Sequence, residues 1–145
     1  MKYKEMKINL FDLDYAKYCF AHCISLDCAM GKGIAKTFVE KEQQMREYLL
    51  NTIKENDLKI PSTILYINEM KIFNLITKNV YNGKPTYYTI YECIKQMKKI
   101  CVDNDIKYLA TYKLGCERDR LDWKEVKEML INEFEDVDIE ILICF

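Results

Sequence analysis

Breaks are scarce in this sequence: four glycines and two prolines serve 145 residues, so each one is informative. No internal repeat, low-complexity tract or linker divides the chain, and its length suits one domain over residues 1–145. No apolar run approaches the length needed to cross a bilayer, and the opening MKYKEMKINLFDLD lacks the apolar centre of a secretory signal. No membrane partner is therefore expected. Excess positive charge is missing too. With 22 Lys and Arg against 23 Asp and Glu, the net charge is −1, which gives no sign of holding polyanions by bulk charge and leaves a nucleic-acid adduct open as a substrate. Only one histidine is present, and no CxxC pair. His22 with Cys19, Cys23 and Cys28 therefore cannot complete a familiar zinc set, and no metal is expected.

What is plentiful is cysteine, seven in all. The count is odd, and Cys19, Cys93, Cys101 and Cys144 fall in apolar periodic segments, where a thiol acts as a small buried hydrophobe. Free thiols in a reducing, cytoplasmic setting are expected. Half of the residues are apolar and 31% are charged, the balance of a globular chain.

Patterning predicts strands at 2–8 and 18–24 and a long helix from Ile34 to about Asn56, with Ile34, Phe38, Met45 and Leu49 at helical spacing. Strands at 63–67 and 72–77 form a hairpin across Asn68–Lys71. Pro85 and Thr86 open a helix whose apolar stripe runs Tyr87, Ile90, Tyr91, Ile94, Met97, Cys101. A strand at 108–112 follows, then a helix opened by a capping box of Asp122 and Glu125, then a final strand in IEILICF. Such alternation predicts an α/β sandwich on a mixed sheet. Ligands of such sheets sit beyond the carboxyl ends of the strands. Three segments meet there: Ser25–Gly33, Thr77–Lys84 and Leu114–Leu121.

In HCISLDCAMGKGIAKTF, a strand ends at Ser25 and a helix starts after Gly31 and Gly33. Bare backbone at a helix N-terminus suits a phosphate or diphosphate; a turn that simply needs positive φ is the equal alternative. Neither a P-loop nor a dinucleotide fingerprint is complete. His22 lies in an apolar strand, where a satisfied structural histidine is the commoner case, and a thiol nucleophile there lacks a separate base. Lys78 falls where strand character stops in LITK; it is a nucleophile toward a carbonyl if it faces a cleft, and a solvated loop lysine otherwise. In LGCERDRLDW an acidic residue of the loop is either a general acid or base, or a partner to its neighbouring arginines.

Taken together, HCIS-x-DC-x-MG-x-GIA, LITK followed by KPTY, and GC-x-x-DRL-x-W resemble the macrodomains. More narrowly they are similar to the class of terminal ADP-ribose protein glycohydrolase and of the macrodomain antitoxins that reverse DNA ADP-ribosylation. The resemblance runs over nearly the whole chain. It implies a three-layer α/β/α sandwich around a mixed sheet of about six strands. It implies that the loop Ser25–Ile34 cradles the distal ribose and diphosphate, with Gly31, Gly33 and Ile34 against them. Lys78 would attack the anomeric carbon of the distal ribose, and Asp119 would serve proton transfer and release. The backbone of Gly115, Cys116, Glu117 and Arg118 would close over the phosphates. Asn9, Leu10, Met30, Thr77 and Phe145 complete the ligand contacts that the resemblance implies.

The expected function is an ADP-ribosyl hydrolase that removes mono-ADP-ribose from an acidic protein side chain, a nucleobase or O-acetyl-ADP-ribose. It would act as a monomer with no cofactor beyond ADP-ribose as ligand and product, on ADP-ribosylated protein or nucleic acid. The alternative is a reader that binds ADP-ribose without cleaving it. Two departures stand out. Macrodomains carry a GDLF-like turn whose aspartate binds the adenine amino group; here it reads INLF, with Ile8 and Asn9 in the first two places. An amide accepts there without charge. Glu117 replaces a glycine of the third segment, setting a carboxylate beside the expected diphosphate.

Overall fold

The structure, a computed structural model, describes residues 1–145. The chain runs β1 (Lys2–Met6), a 3₁₀ turn (Leu10–Asp12), β2 (Cys19–Ser25), α1 (Gly33–Lys41), α2 (Met45–Asn56), β3 (Ser62–Ile67), β4 (Lys71–Lys78), α3 (Tyr87–Asp103), β5 (Tyr108–Thr111), α4 (Trp123–Phe134) and β6 (Glu140–Cys144). One six-stranded sheet is ordered β1-β6-β5-β2-β4-β3. All neighbours are parallel except β3, which returns antiparallel on β4 through the expected hairpin.

Side chains alternate across a strand, and each inner strand therefore feeds two apolar layers. Ala21, Phe73, Leu75, Ile141 and Ile143 pack with Ile90, Ile94 and Met97 of α3 and Val126, Leu130 and Phe134 of α4. Phe20, Ile24, Ile72, Ile76 and Leu142 pack on the other face with Phe38 of α1 and Met45 and Leu49 of α2. The result is the three-layer α/β/α sandwich with a six-stranded mixed sheet. No helix is long and apolar enough to cross a membrane. All seven cysteines are unpaired.

Two local expectations are corrected. The long helix is broken into α1 and α2. No glycine or proline marks the break; Glu42 leaves helical geometry (φ −126°, ψ 78°) and is buried. Its carboxylate accepts hydrogen bonds from Asn68 Nδ2 (2.8 Å) and the Met70 amide (3.3 Å). The break thus places a buried acceptor under the β3–β4 turn. The second correction concerns α4. Asp122 accepts from the Lys124 amide at 3.0 Å, but its own amide donates to Tyr87 Oη at 3.0 Å rather than to Glu125. A reciprocal capping box forms instead at the start of α3, between Thr86 and Thr89.

The register aligns the ends that matter. Ser25 at the end of β2 lies beside Lys78 at the end of β4, after an irregularity between Ile24 and Ser25. Thr111, the last residue of β5, pairs with Ala21. Three strand ends thus open onto one place above the sheet.

Candidate active site

A cleft of about 470 Å³ occupies that place. Its floor is the end of β2, and its walls come from the loops after β2, β4 and β5. The first loop is anchored on both sides. The Leu26 amide donates to Lys78 O at 2.8 Å, and the Cys28 carbonyl accepts from Arg46 Nε at 2.7 Å. Asp27 accepts hydrogen bonds from the Ser25 hydroxyl, the Ala29 amide and the Tyr81 amide. Burial pushes the Asp27 carboxyl up, but those donors outweigh it and hold the group below the usual carboxylate range.

Gly33 takes φ +62°, so the turn itself asks for glycine there. Gly31 is different: a Cβ would meet nothing nearer than Ala29 O at 3.8 Å. The fold does not require its bareness, which leaves open backbone facing the cleft. The equal split between a turn and a ligand cradle thus resolves into one glycine that the turn requires and one that it does not.

The third loop turns at Gly115, φ +72°, where a Cβ would lie 2.8 Å from Ile90 Cδ1 and 3.2 Å from Leu121 Cδ1. The Leu121 amide closes the loop onto Gly115 O at 2.9 Å. That closure turns Asp119 back over the sheet. Lys78 Nζ and Asp119 Oδ1 meet at 2.7 Å, with their side chains 13% and 11% exposed. The two residues that sequence reasoning paired as nucleophile and acid/base therefore share one wall of the cleft.

Ser25, Met30, Gly31 and Ile34 line the cleft from the first loop, and Gly115, Glu117 and Arg118 line it from the third. Glu117 makes no ion pair with Arg118. Gly33 sits just behind this wall. Other candidate contacts fall outside it. Leu10 is fully buried among Phe20 and Phe38. Thr77 is buried with its hydroxyl unpartnered. The Cys116 thiol turns toward Leu114 O at 3.2 Å. Phe145 is exposed, with Lys113 Nζ 5.7 Å from its ring centroid. Asn9 caps the 3₁₀ turn, its Oδ1 accepting from the Phe11 amide at 3.0 Å.

Sequence reasoning passed over Tyr112 and Lys113 and reached Tyr81 only as part of the segment Thr77–Lys84; all three line the cleft. Tyr112 joins two regions: its Oη accepts from the Leu10 amide and donates to Asn9 Oδ1, each at 3.1 Å. The INLF turn is thereby tied to the cleft wall. The signal for Tyr112 was its place, the first residue past the carboxyl end of β5.

His22 is buried in the floor. Asn74 Nδ2 donates to Ile72 O at 3.1 Å, so Asn74 Oδ1 must accept, and His22 Nε2–H donates to it at 2.6 Å. The ring packs on Phe38 at 4.6 Å between centroids. Burial pushes its pKa down to about 4 against the weaker upward pull of Asn74. The unfolded chain takes up this proton near pH 6.5 and the folded chain only near pH 4. The contribution of His22 to stability is therefore level above pH 6.5 and falls as pH drops toward 4, by on the order of 3 kcal/mol. Urea unfolding at pH 7 and pH 4.5 checks this: His22→Gln, which can still bond Asn74, should lose most of the difference.

The sandwich, its crevice and the paired Lys78 and Asp119 define a macrodomain-like site. Among solved structures, the macrodomain of Thermus aquaticus DarG superposes with a TM-score of 0.86 at 18% identity, covering 99% of this chain and 97% of that one. Thermosipho africanus DarTG, solved in complex with ADP-ribose, gives a TM-score of 0.79 at 18% identity over 88% of this chain and 38% of that one. No family profile matches the chain. The human (Homo sapiens) ADP-ribose glycohydrolase OARD1 is 37% identical over 123 residues, 85% of this chain and 78% of that protein. The chain belongs to the macrodomains of the ADP-ribose glycohydrolase class.

Proposed function

We propose that the protein hydrolyses the bond between the distal ribose of ADP-ribose and a modified acceptor, with Lys78 as nucleophile and Asp119 as acid and base. The observation that carries this is the 2.7 Å contact between Lys78 Nζ and Asp119 Oδ1 in the wall of a cleft that Gly31 also lines. Kinship with a human ADP-ribose glycohydrolase supports the reaction class.

Attack needs the lone pair of Nζ, so the proton shared by the pair rests on Asp119 at that moment. The Nζ–C1″ bond forms as the bond from C1″ to the acceptor breaks, and Asp119 gives its proton to the departing acceptor. Trapping the carbon on an amine divides one hard step into two. Asp119, now a carboxylate, then takes a proton from the water that attacks C1″, and the C1″–Nζ bond breaks. ADP-ribose and the unmodified acceptor leave, and Lys78 and Asp119 are restored. The scheme calls on no metal or redox cofactor.

Acidic side-chain esters, nucleobase adducts and O-acetyl-ADP-ribose all present the same distal ribose, and all three belong in the test. The pure protein is incubated with each and free ADP-ribose is followed. Release from at least one is expected. Tight binding of ADP-ribose with no release from any would make the protein a reader instead.

A further inference from the structure

A second cavity, of about 270 Å³, shares no lining residue with the cleft that holds Lys78 and Asp119. It is bordered by the 3₁₀ turn, the end of α1 and the β3–β4 turn. Phe11, Tyr15 and Phe20 give it three aromatic side chains; Glu42, Glu69 and Lys41 give it charge.

Glu42 sets the chemistry of this cavity. It is 3% exposed, yet it enters no ion pair, and neither does Glu69. Its two carboxylate oxygens accept from Asn68 Nδ2 at 2.8 Å and from the Met70 amide at 3.3 Å. Both donors are neutral. They satisfy hydrogen bonds, but a buried negative charge is costly until a cation answers it. A carboxylate also keeps lone-pair sites beyond those two. The end of α1 deepens the negative potential, because the last carbonyls of a helix form its negative pole, and Lys41 and Glu42 stand at that end.

Lys41 does not supply the missing cation. Its Nζ stands 5.8 Å from the centre of the Phe11 ring and within ion-pair distance of neither Glu42 nor Glu69. It does show that the aromatic wall draws an ammonium. A metal ion suits the cavity poorly, since no group of three or more His, Cys, Asp or Glu is placed to hold one. Aromatic faces beside a carboxylate suit an organic cation. A guanidinium wants both oxygens of a carboxylate side by side, and here each already accepts a bond. An ammonium needs only one free lone pair.

We propose that this cavity is a second ligand site, which takes the ammonium end of an alkylamine: a small free amine, or a lysine side chain of another protein. The ammonium lies against the aromatic rings with its charge toward Glu42. The proposal uses no residue of the ADP-ribose cleft and stands or falls apart from it.

NMR titration of the full chain with n-butylammonium, with n-butanol and with a capped lysine peptide, at fixed ionic strength, tests this. n-Butylammonium should move the amides of Phe11, Tyr15, Glu42 and Met70. n-Butanol, equally long but uncharged, should not. Glu42→Gln should weaken the amine by about tenfold or more, as for losing a charged hydrogen bond. Because Glu42 also serves the β3–β4 turn, Tyr15→Leu gives a second measure. Tyr15 is 50% exposed, and losing its ring face should weaken the amine by about two- to fivefold with the fold retained. Lys41→Gln should tighten it by removing a like charge. A peptide that binds as tightly as n-butylammonium makes a protein lysine the occupant; binding of the free amine alone makes it a small amine. If n-butanol moves the same amides as far, if no amine moves them, or if neither Glu42→Gln nor Tyr15→Leu weakens binding, the cavity is not an ammonium site.

Discussion

Lys78→Ala is expected to lower ADP-ribose release by about three orders of magnitude or more, with the fold retained. The lysine is asked for a covalent step, and no other amine meets Asp119: Lys78 is its one ion-pair partner. Removing it leaves the Asp119 carboxylate without a counter-charge. That group borders an open cleft, so water replaces the ammonium, and the loss in stability stays below that of breaking a fully buried pair. Circular dichroism should therefore match the parent protein, with melting lowered by a few degrees. Asp119→Ala should be nearly as damaging. The double variant should be little worse than either alone, because residues that act as a unit are not additive. Release by Lys78→Ala at near the parent rate would remove the nucleophile from the mechanism and leave the reaction class, which kinship supports, to be served by other groups.

How far the site was legible in advance depended on which kind of force placed each residue. Local marks, a run of apolar residues stopping or a glycine appearing, place Lys78, Asp119 and Gly31 at strand ends and in short loops; they do not assign Lys78 or Asp119 a role, which comes only from the resemblance of the three segments taken together. The layered fold could be found for the same reason: Ile90, Ile94 and Met97 keep their spacing whatever they pack against. The break at Glu42 could not. Glu42, Gln43 and Gln44 are all good helix formers, and at the interruption the Glu42 carboxylate is the buried acceptor of a turn distant in sequence, Asn68–Met70. The start of α4 is similar: Glu125 stands at the right spacing for a capping box, yet Tyr87 from another helix takes the bond. Tyr112 belongs with these. Its hydroxyl bonds Asn9, 103 residues away in the chain, and nothing adjacent to Tyr112 in the sequence announces that partner.

The firmest mechanical prediction concerns the helix that carries the glycine loop. Phe38 is the one buried side chain of α1, and its ring meets Phe11 at 4.9 Å, Phe20 at 6.1 Å and His22 at 4.6 Å between centroids. Phe38→Ala should destabilise the protein by about 3–5 kcal/mol, the range for emptying such a site, out of a total of roughly 5–15 kcal/mol for a domain. The damage should be functional as well as global. α1 begins at Gly33, and Ile34 and Ala35 on its first turn line the cleft. Freed of its anchor, α1 no longer holds Gly31 and Gly33 in place, and ADP-ribose affinity should fall even at temperatures where the chain is folded. Phe134→Ala separates the two effects. Phe134 is equally buried, but at the last residue of α4 on the opposite face of the sheet. It should lose comparable stability in urea yet keep the affinity of its folded fraction. Equal affinity in both variants would mean that the first loop is held by its anchors at Lys78 and Arg46 alone, without help from the helix behind it.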